Sequence, residues 1–324
     1  MRTTALLLFG LGAAVSSAQP LGTHFSGAIT SNSVLQKGAT TSAAVLGTVQ
    51  GATSGTVVTV TVAEAGAAPY SVRADIVGRG NGNLTWHARL HPHPAPGGNA
   101  TISASCASCS NDSKATLVNI TWGDVWFCAG QSNMELPMDF ALTRNRTFAA
   151  LDAGRYQNIR TFKHRHGGAP GGARFDGDEQ WILPPPVSNP QGDDNLQADG
   201  SWQHAHTETV TQFSAACWLF AQELTDMALT ENKSAPVLGL IQSAWGGSEI
   251  DDWIRNSSIG ACTNNSGLPE QNRQGGEGPQ PHGSGSVYPN NGALWNGMVP
   301  TIDSTLRNQS LVSLPRSILN MIFD

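Results

Sequence analysis

No run of lysine and arginine interrupts this 324-residue chain, which carries 18 basic against 24 acidic residues and a formal charge of −6. A nucleic-acid footprint needs a clustered basic face, so the composition argues against such a partner. Long apolar runs are also missing. The stretch from Ala5 to Val15 is too short to cross a hydrocarbon core of roughly 30 Å, and no other run approaches spanning length, so no membrane span is expected. Cysteine is scarce, and its number, five, is odd, which leaves at least one without an intrachain partner. Cys106-Ala-Ser-Cys109 has the spacing of half a zinc ribbon, but no second pair or suitably spaced histidine follows it. A local disulfide or free thiols is the expectation there, with neither metal nor organic cofactor. The G-x-S-x-G elbow is absent as well, which argues against the α/β-hydrolase fold.

What is present begins with a targeting pattern. Arg2, the apolar run Ala5–Val15 and the small residues Ser16-Ser17-Ala18 fit a secretory signal peptide over residues 1–18. A secreted or lysosomal/lumenal location is expected. Asn-x-Ser/Thr recurs at Asn83, Asn99, Asn111, Asn119, Asn145, Asn232, Asn256, Asn264 and Asn308, which suggests a glycoprotein in a eukaryotic host. Cys128 and Cys217 lie in apolar runs and are expected to be buried.

Residues 19–122 read as a β-sandwich domain. Ser42–Val49, Val57–Val62, Tyr70–Ile76, Leu84–Leu90, Ala100–Ser105 and Ala115–Trp122 are short alternating runs separated by Gly/Asn/Pro turns. The pattern changes at Trp122. Val125–Ala129 and Val237–Ile241 are continuous apolar runs that fit strands buried on both faces of a parallel sheet, and Asn158–Phe162 is a further strand candidate. Phe213, Ala216, Cys217, Phe220, Leu224, Met227 and Ala228 recur at helical spacing, predicting a helix over 211–230 with those residues inward. Strand, helix and strand in this order indicate an α/β domain over 123–324. Gly167–Ser201 and Cys262–Asn291 read as long surface loops.

Ser132 follows the first buried strand, at the sheet edge where open α/β folds place their crevices. Gly130 permits a sharp turn beside it. A hydroxyl there can attack bound substrate while backbone N–H groups face a developing oxyanion, although a serine after a strand also serves as a helix N-cap. Gly246-Gly247 follows the strand Val237–Ile241, and two glycines leave backbone N–H groups unshielded, or simply make a tight turn. Gln131 and Asn133 flank the serine and could hydrogen-bond substrate or order the loop. Trp245, Trp253 and Trp295 could line a sugar cleft or belong to the core. Glu249, Asp251 and Asp252 read as surface or capping carboxylates.

The block Gly123-Asp124-Val125-Trp126-Phe127-Cys128-Ala129-Gly130-Gln131-Ser132-Asn133-Met134-Glu135 resembles the nucleophile block of the sialate O-acetylesterase family of SGNH hydrolases. Val34-Leu35-Gln36, Phe213-Ser214-Ala215-Ala216, the stretch from Gly239 to Trp253 and Leu294-Trp295-Asn296-Gly297-Met298 match further family blocks in order. The resemblance implies an SGNH-type (flavodoxin-like) α/β/α sandwich after the β-sandwich. It also implies removal of O-acetyl groups from sialic acids by way of an acyl-serine. Ser132 would then be the nucleophile, Gly247 an oxyanion donor with Gly246 as a second candidate, Gln131 a support, and Asn133 and Trp245 substrate contacts. Acetylated xylan or another polysaccharide is the alternative substrate, and a glycan-binding pseudoenzyme the alternative class.

An activated serine needs a base, and the family supplies it from an Asp-x-x-His block beyond a Trp-Tyr-Gln-Gly-Glu stretch. Neither stretch is found in this sequence, so a chain truncated before its histidine block is expected. His164 with His166, and His204 with His206, are weaker candidates for the base.

Overall fold

A computed structural model describes residues 22–25, 29–50, 55–80, 83–107, 109, 113–163, 201–244 and 246. The expected signal segment, the loops 167–200 and 262–291, His164, His166, Trp245, Gly247, Glu249, Asp251, Asp252, Trp253 and Trp295 lie outside the described residues. In chain order the strands are β1 (Thr23–Phe25), β2 (Val34–Gln36), β3 (Ala44–Gln50), β4 (Val58–Glu64), β5 (Tyr70–Arg73), β6 (Asp75–Gly80), β7 (Asn83–Arg89), β8 (Gly97–Cys106), β9 (Ser113–Gly130), β10 (Ile159–Lys163), β11 (Trp202–His204) and β12 (Leu238–Ala244). The helices are α1 (Ser132–Glu135), α2 (Arg144–Asp152), α3 (Thr207–Thr211) and α4 (Ala215–Thr230), with a 3-10 turn at Met138–Phe140.

The alternating runs of the first region all lie in strands, for the expected reason, though one of them is split between two. In β4, Val58, Val60 and Val62 are buried while Thr59 and Thr61 are only partly so. Strands β1-β3-β7-β6 make a four-stranded antiparallel sheet. A larger sheet runs β11-β10-β12-β9-β8-β4-β5, with β2 also on β9. Trp86 from the first sheet and Val60, Ile102 and Trp122 from the second enter one buried cluster, in which Phe25 meets Trp86 edge-on at 5.4 Å. The run Tyr70–Ile76, expected as one strand, divides at buried Ala74, whose N–H donates to the Val58 carbonyl at 2.9 Å. There the chain passes from the larger sheet to the smaller, and its alternation continues through the crossover, so the pattern hides it.

The expected boundary at residue 122 falls inside a single 18-residue strand, β9. Its first half is antiparallel to β8, and its second half is parallel to β12, which is in turn parallel to β10. Gly123 marks the change. A Cβ there would lie 2.3 Å from the Val237 carbonyl oxygen, so no side chain fits where the chain enters β12. Gln36 accepts the Val125 N–H at 2.9 Å, and Lys37 pairs with Asp124, fastening β2 at the same point.

The three parallel strands carry apolar residues on both faces. Trp126 and Cys128 pack toward α4, and Val125 and Phe127 pack on the other side with Phe162, Trp202 and Ile241. Strand β12 is buried along its whole length. Helix α4 is turned relative to the expected face. Its buried residues are Ala215, Cys217, Trp218, Ala221 and Thr225, whereas Met227 and Ala216 are exposed. The reason is that Trp218, absent from the expected stripe, fills the core, while Phe220 leans edge-on against Trp126 at 4.8 Å. Cys128 and Cys217 are buried as expected, and they form a disulfide joining β9 directly to α4, with Cys106–Cys109 as a local one. No helix among the described residues is long and apolar enough to cross a membrane.

Candidate functional site

The site is assembled by two strand ends. Gly130 pairs with Ala244 at the carboxyl termini of β9 and β12, and Ser132 and Gly246 each lie two residues beyond that pair. Gly130 has φ +155°, and a Cβ on it would come within 3.0 Å of the Met134 Cβ, so the chain folds tightly over this residue into α1. Ser132 is the first helical residue, not the cap. The cap position belongs to Gln131, whose side chain makes no capping bond. Ser132 Oγ instead donates to Gln131 Oε1 at 3.1 Å, and Gln131, Ser132 and Asn133 are all exposed. The hydroxyl is therefore presented to solvent, not consumed by the helix.

The turn carrying the serine is fixed to the start of α4. Met138 donates its N–H to the Phe213 carbonyl at 2.8 Å, and Ala215 donates to the Leu136 carbonyl at 2.8 Å. Ser214 caps α4 through its hydroxyl, which accepts the Cys217 N–H at 3.2 Å, while its own N–H goes to Gln242 Oε1 at 2.7 Å. Gln242 thereby ties β12 to the same corner. The resembling blocks at 123–135, 213–216 and 239–246 thus converge.

Gly246 lies against the serine. An ideal Cβ on Gly246 would stand 3.7 Å from Ser132 Cα and Cβ and 2.7 Å from Glu135 Oε2. The Gly246 N–H donates to the Glu135 carboxylate, so it is occupied and is not aimed at an acyl oxygen. Glu135 was part of the quoted block but had no expected role. Its spacing of three from Ser132, which places both on one side of a helical turn, was the available signal.

The described histidines are elsewhere. His204 pairs with Arg160, which is level with Gly239 and Val125, so it sits about 16 Å along the strands from Gly130. His204 Nε2 lies 3.0 Å from the Asn119 side-chain nitrogen, and His206 Nδ1 is paired with Glu208 at 2.8 Å. These two are at the amino-terminal edge of the parallel strands and cannot reach Ser132 as its base. Burial, then the Arg160 guanidinium and His206, hold the His204 pKa below the ordinary 6.5. Among the described residues no group of three or more His, Cys, Asp or Glu is placed to hold a metal ion.

At that same edge, Asn119 sits at φ +57° in a bulge between the pairs Ile102–Leu117 and Ala100–Ile120. Its amide donates to Asn32 Oδ1 at 2.7 Å. Buried Arg160 donates to the carbonyls of Asn32 at 3.0 Å and Asn119 at 2.6 Å, and to Asn119 Oδ1 at 3.2 Å. Asn119 is therefore a structural residue although its sequence reads as a glycan acceptor.

Fold and site together define a mixed α/β protein with an exposed serine at the carboxyl edge of parallel strands, facing a glycine turn. No protein-family model matches the chain. It is 28% identical to sialate O-acetylesterase of Homo sapiens and of Pongo abelii over 229 residues, 69% of this chain and 36% of each relative. Against the Rattus norvegicus protein the identity is 28% over 270 residues, 81% of this chain and 43% of that one. The chain is thus similar to these sialate O-acetylesterases and spans less than half the length of each of these curated relatives. A carbohydrate acetylesterase from Xanthomonas citri shares the fold, with TM-score 0.50 and 22% identity over 74% of this chain and 44% of that one.

Proposed function

We propose that this chain carries the nucleophile half of a serine O-acetylesterase acting on O-acetylated sialic acids. The observation that carries the proposal is the placement of exposed Ser132 Oγ at the end of β9, with the Gly246 turn packed against the same residue. Ser132 Oγ attacks the acetyl carbonyl, the acyl-serine forms as the sugar alkoxide leaves with a proton, and water then releases acetate. Because the Gly246 N–H is engaged by Glu135, the oxyanion donors are the Ser132 N–H and, in this reading, Gly247. Gln131 orders the hydroxyl, and Asn133 and Trp245 contact the sugar. No metal or organic cofactor enters the reaction.

In this reading the second region is an SGNH-type sandwich and residues 19–122 a β-sandwich packed beside it. The route is secretory, and exposed Asn99, Asn145 and Asn232 are better glycan acceptors than Asn119. The test is acetate release from 9-O-acetylated sialic acid and from acetylated xylan by the chain and by Ser132→Ala. Release from the sialic acid alone, abolished by the substitution, is expected. Equal release by both proteins contradicts the serine mechanism.

A further inference from the structure

Resting on the reading of Ser132 as nucleophile, we infer that Glu135 is a positioning residue. Its carboxylate clasps the Gly246 turn to the nucleophile turn and so fixes the two strand ends against each other. Pairing between β9 and β12 stops at Gly130 and Ala244. Among the described residues no β9–β12 pairing continues past that point, yet a Cβ placed on Gly246 would stand 3.7 Å from Ser132 Cα. Among the described residues, the Gly246 N–H donates across this gap to the Glu135 carboxylate. A charged acceptor makes a stronger bond than a neutral one, and Glu135 is half-buried, which shields the bond from water.

The clasp also explains why residue 246 is a glycine. A methyl group there would collide with Glu135 Oε2 at 2.7 Å and push aside the flexible carboxylate before meeting Ser132 at 3.7 Å. Glu135→Ala and Gly246→Ala should therefore break one contact from its two sides. Their effects should not add, because each removes what the other would remove.

The experiment uses the full chain, with amide hydrogen exchange at residue 246 read by NMR and steady-state hydrolysis of 4-nitrophenyl acetate. Glu135→Ala is expected to lower Gly246 protection at least about tenfold. It should also cut kcat about 10²-fold with KM held within about twofold, the scale expected when a reacting group is misplaced by an ångström. Glu135→Gln retains an acceptor oxygen and should keep protection and kcat within about threefold of the parent. The Glu135→Ala/Gly246→Ala double variant should match the single variants in kcat. Unchanged protection or kcat in Glu135→Ala overturns the inference, as does a Glu135→Gln variant as impaired as the alanine, or additive losses in the double variant. If the parent chain does not turn over the ester, amide exchange at Gly246 in the parent, in Glu135→Ala and in Glu135→Gln decides the clasp without the kinetics: unchanged protection in Glu135→Ala overturns it. Should Glu135→Ala not fold, Gly246→Ala and Glu135→Gln supply the comparison.

Discussion

At the amino-terminal end of strands β9, β12 and β10, Arg160 is buried and donates to the Asn32 and Asn119 carbonyls and to Asn119 Oδ1. At the carboxyl-terminal end of the same strands, Ser132 is exposed and, among the described residues, its hydroxyl donates to the Gln131 side chain. One end joins the β-rich region to the parallel sheet through polar groups whose loss would leave buried acceptors unpaired. The other leaves a hydroxyl open to a ligand, held from behind by Ser214, Gln242 and Glu135. The contrast teaches that stability and chemistry are separated along the strand axis, so substitutions at the two ends should report on different measurements.

Ser132→Ala should have the largest effect, lowering ester hydrolysis by about 10³-fold or more while leaving Tm unchanged, because an exposed hydroxyl contributes little to packing. Replacing Cys128 and Cys217 together should come next. Their 89-residue separation gives a loss of about 4–5 kcal/mol in chain-entropy terms, read by urea titration. The Cys106–Cys109 pair, three residues apart, should cost about 2 kcal/mol by the same relation.

Arg160→Met should lower stability by about 1–3 kcal/mol by orphaning the Asn32 and Asn119 carbonyls, with kcat for a folded sample unchanged. A loss of kcat at full occupancy of the folded state would break the separation between the two ends. Gly239→Ala probes the strand between them. Its methyl would stand 2.7 Å from the Val34 Cβ and 3.0 Å from the Trp202 ring, an overpacking expected to cost about 1–3 kcal/mol in thermal or chemical unfolding.

The smallest effect is pH dependence. His204, and His87, whose pKa is lowered by burial and then by Arg89, bind protons less readily folded than unfolded. Well above pH 6.5 both imidazoles are neutral folded and unfolded, and neither makes stability depend on pH. As pH falls through that value the unfolded chain takes up protons first, so stability should decline until the lower folded pKa values are reached. His204→Gln should remove part of that decline, because a neutral amide beside Arg160 does not titrate.

Much of this was legible beforehand, for identifiable reasons. Alternation in Val58–Val62 and continuous apolarity in Val125–Ala129 mark strands because side-chain burial has the period of the backbone. Ser132 was marked by its place after the second of these and by the long resembling block around it. What could not be read involves partners far apart in sequence. The Cys128–Cys217 bond needs the packing of α4 on β9. The continuity of β9 through Gly123 needs the approach of Val237. Asn119 looks like a glycan acceptor until Arg160 and Asn32 are brought to it, and the Gly246 N–H looks available until Glu135 accepts it. The face of α4 was misplaced because Trp218 lay just beside the expected stripe.

The central claim is that Ser132 is the nucleophile, and covalent trapping tests it most directly. The full chain is treated with a fluorophosphonate and the adduct is mapped by peptide mass spectrometry. The account predicts one adduct, on Ser132, suppressed by prior incubation with O-acetylated sialic acid and absent from Ser132→Ala. No adduct, or an adduct on another serine that survives in Ser132→Ala, would contradict it.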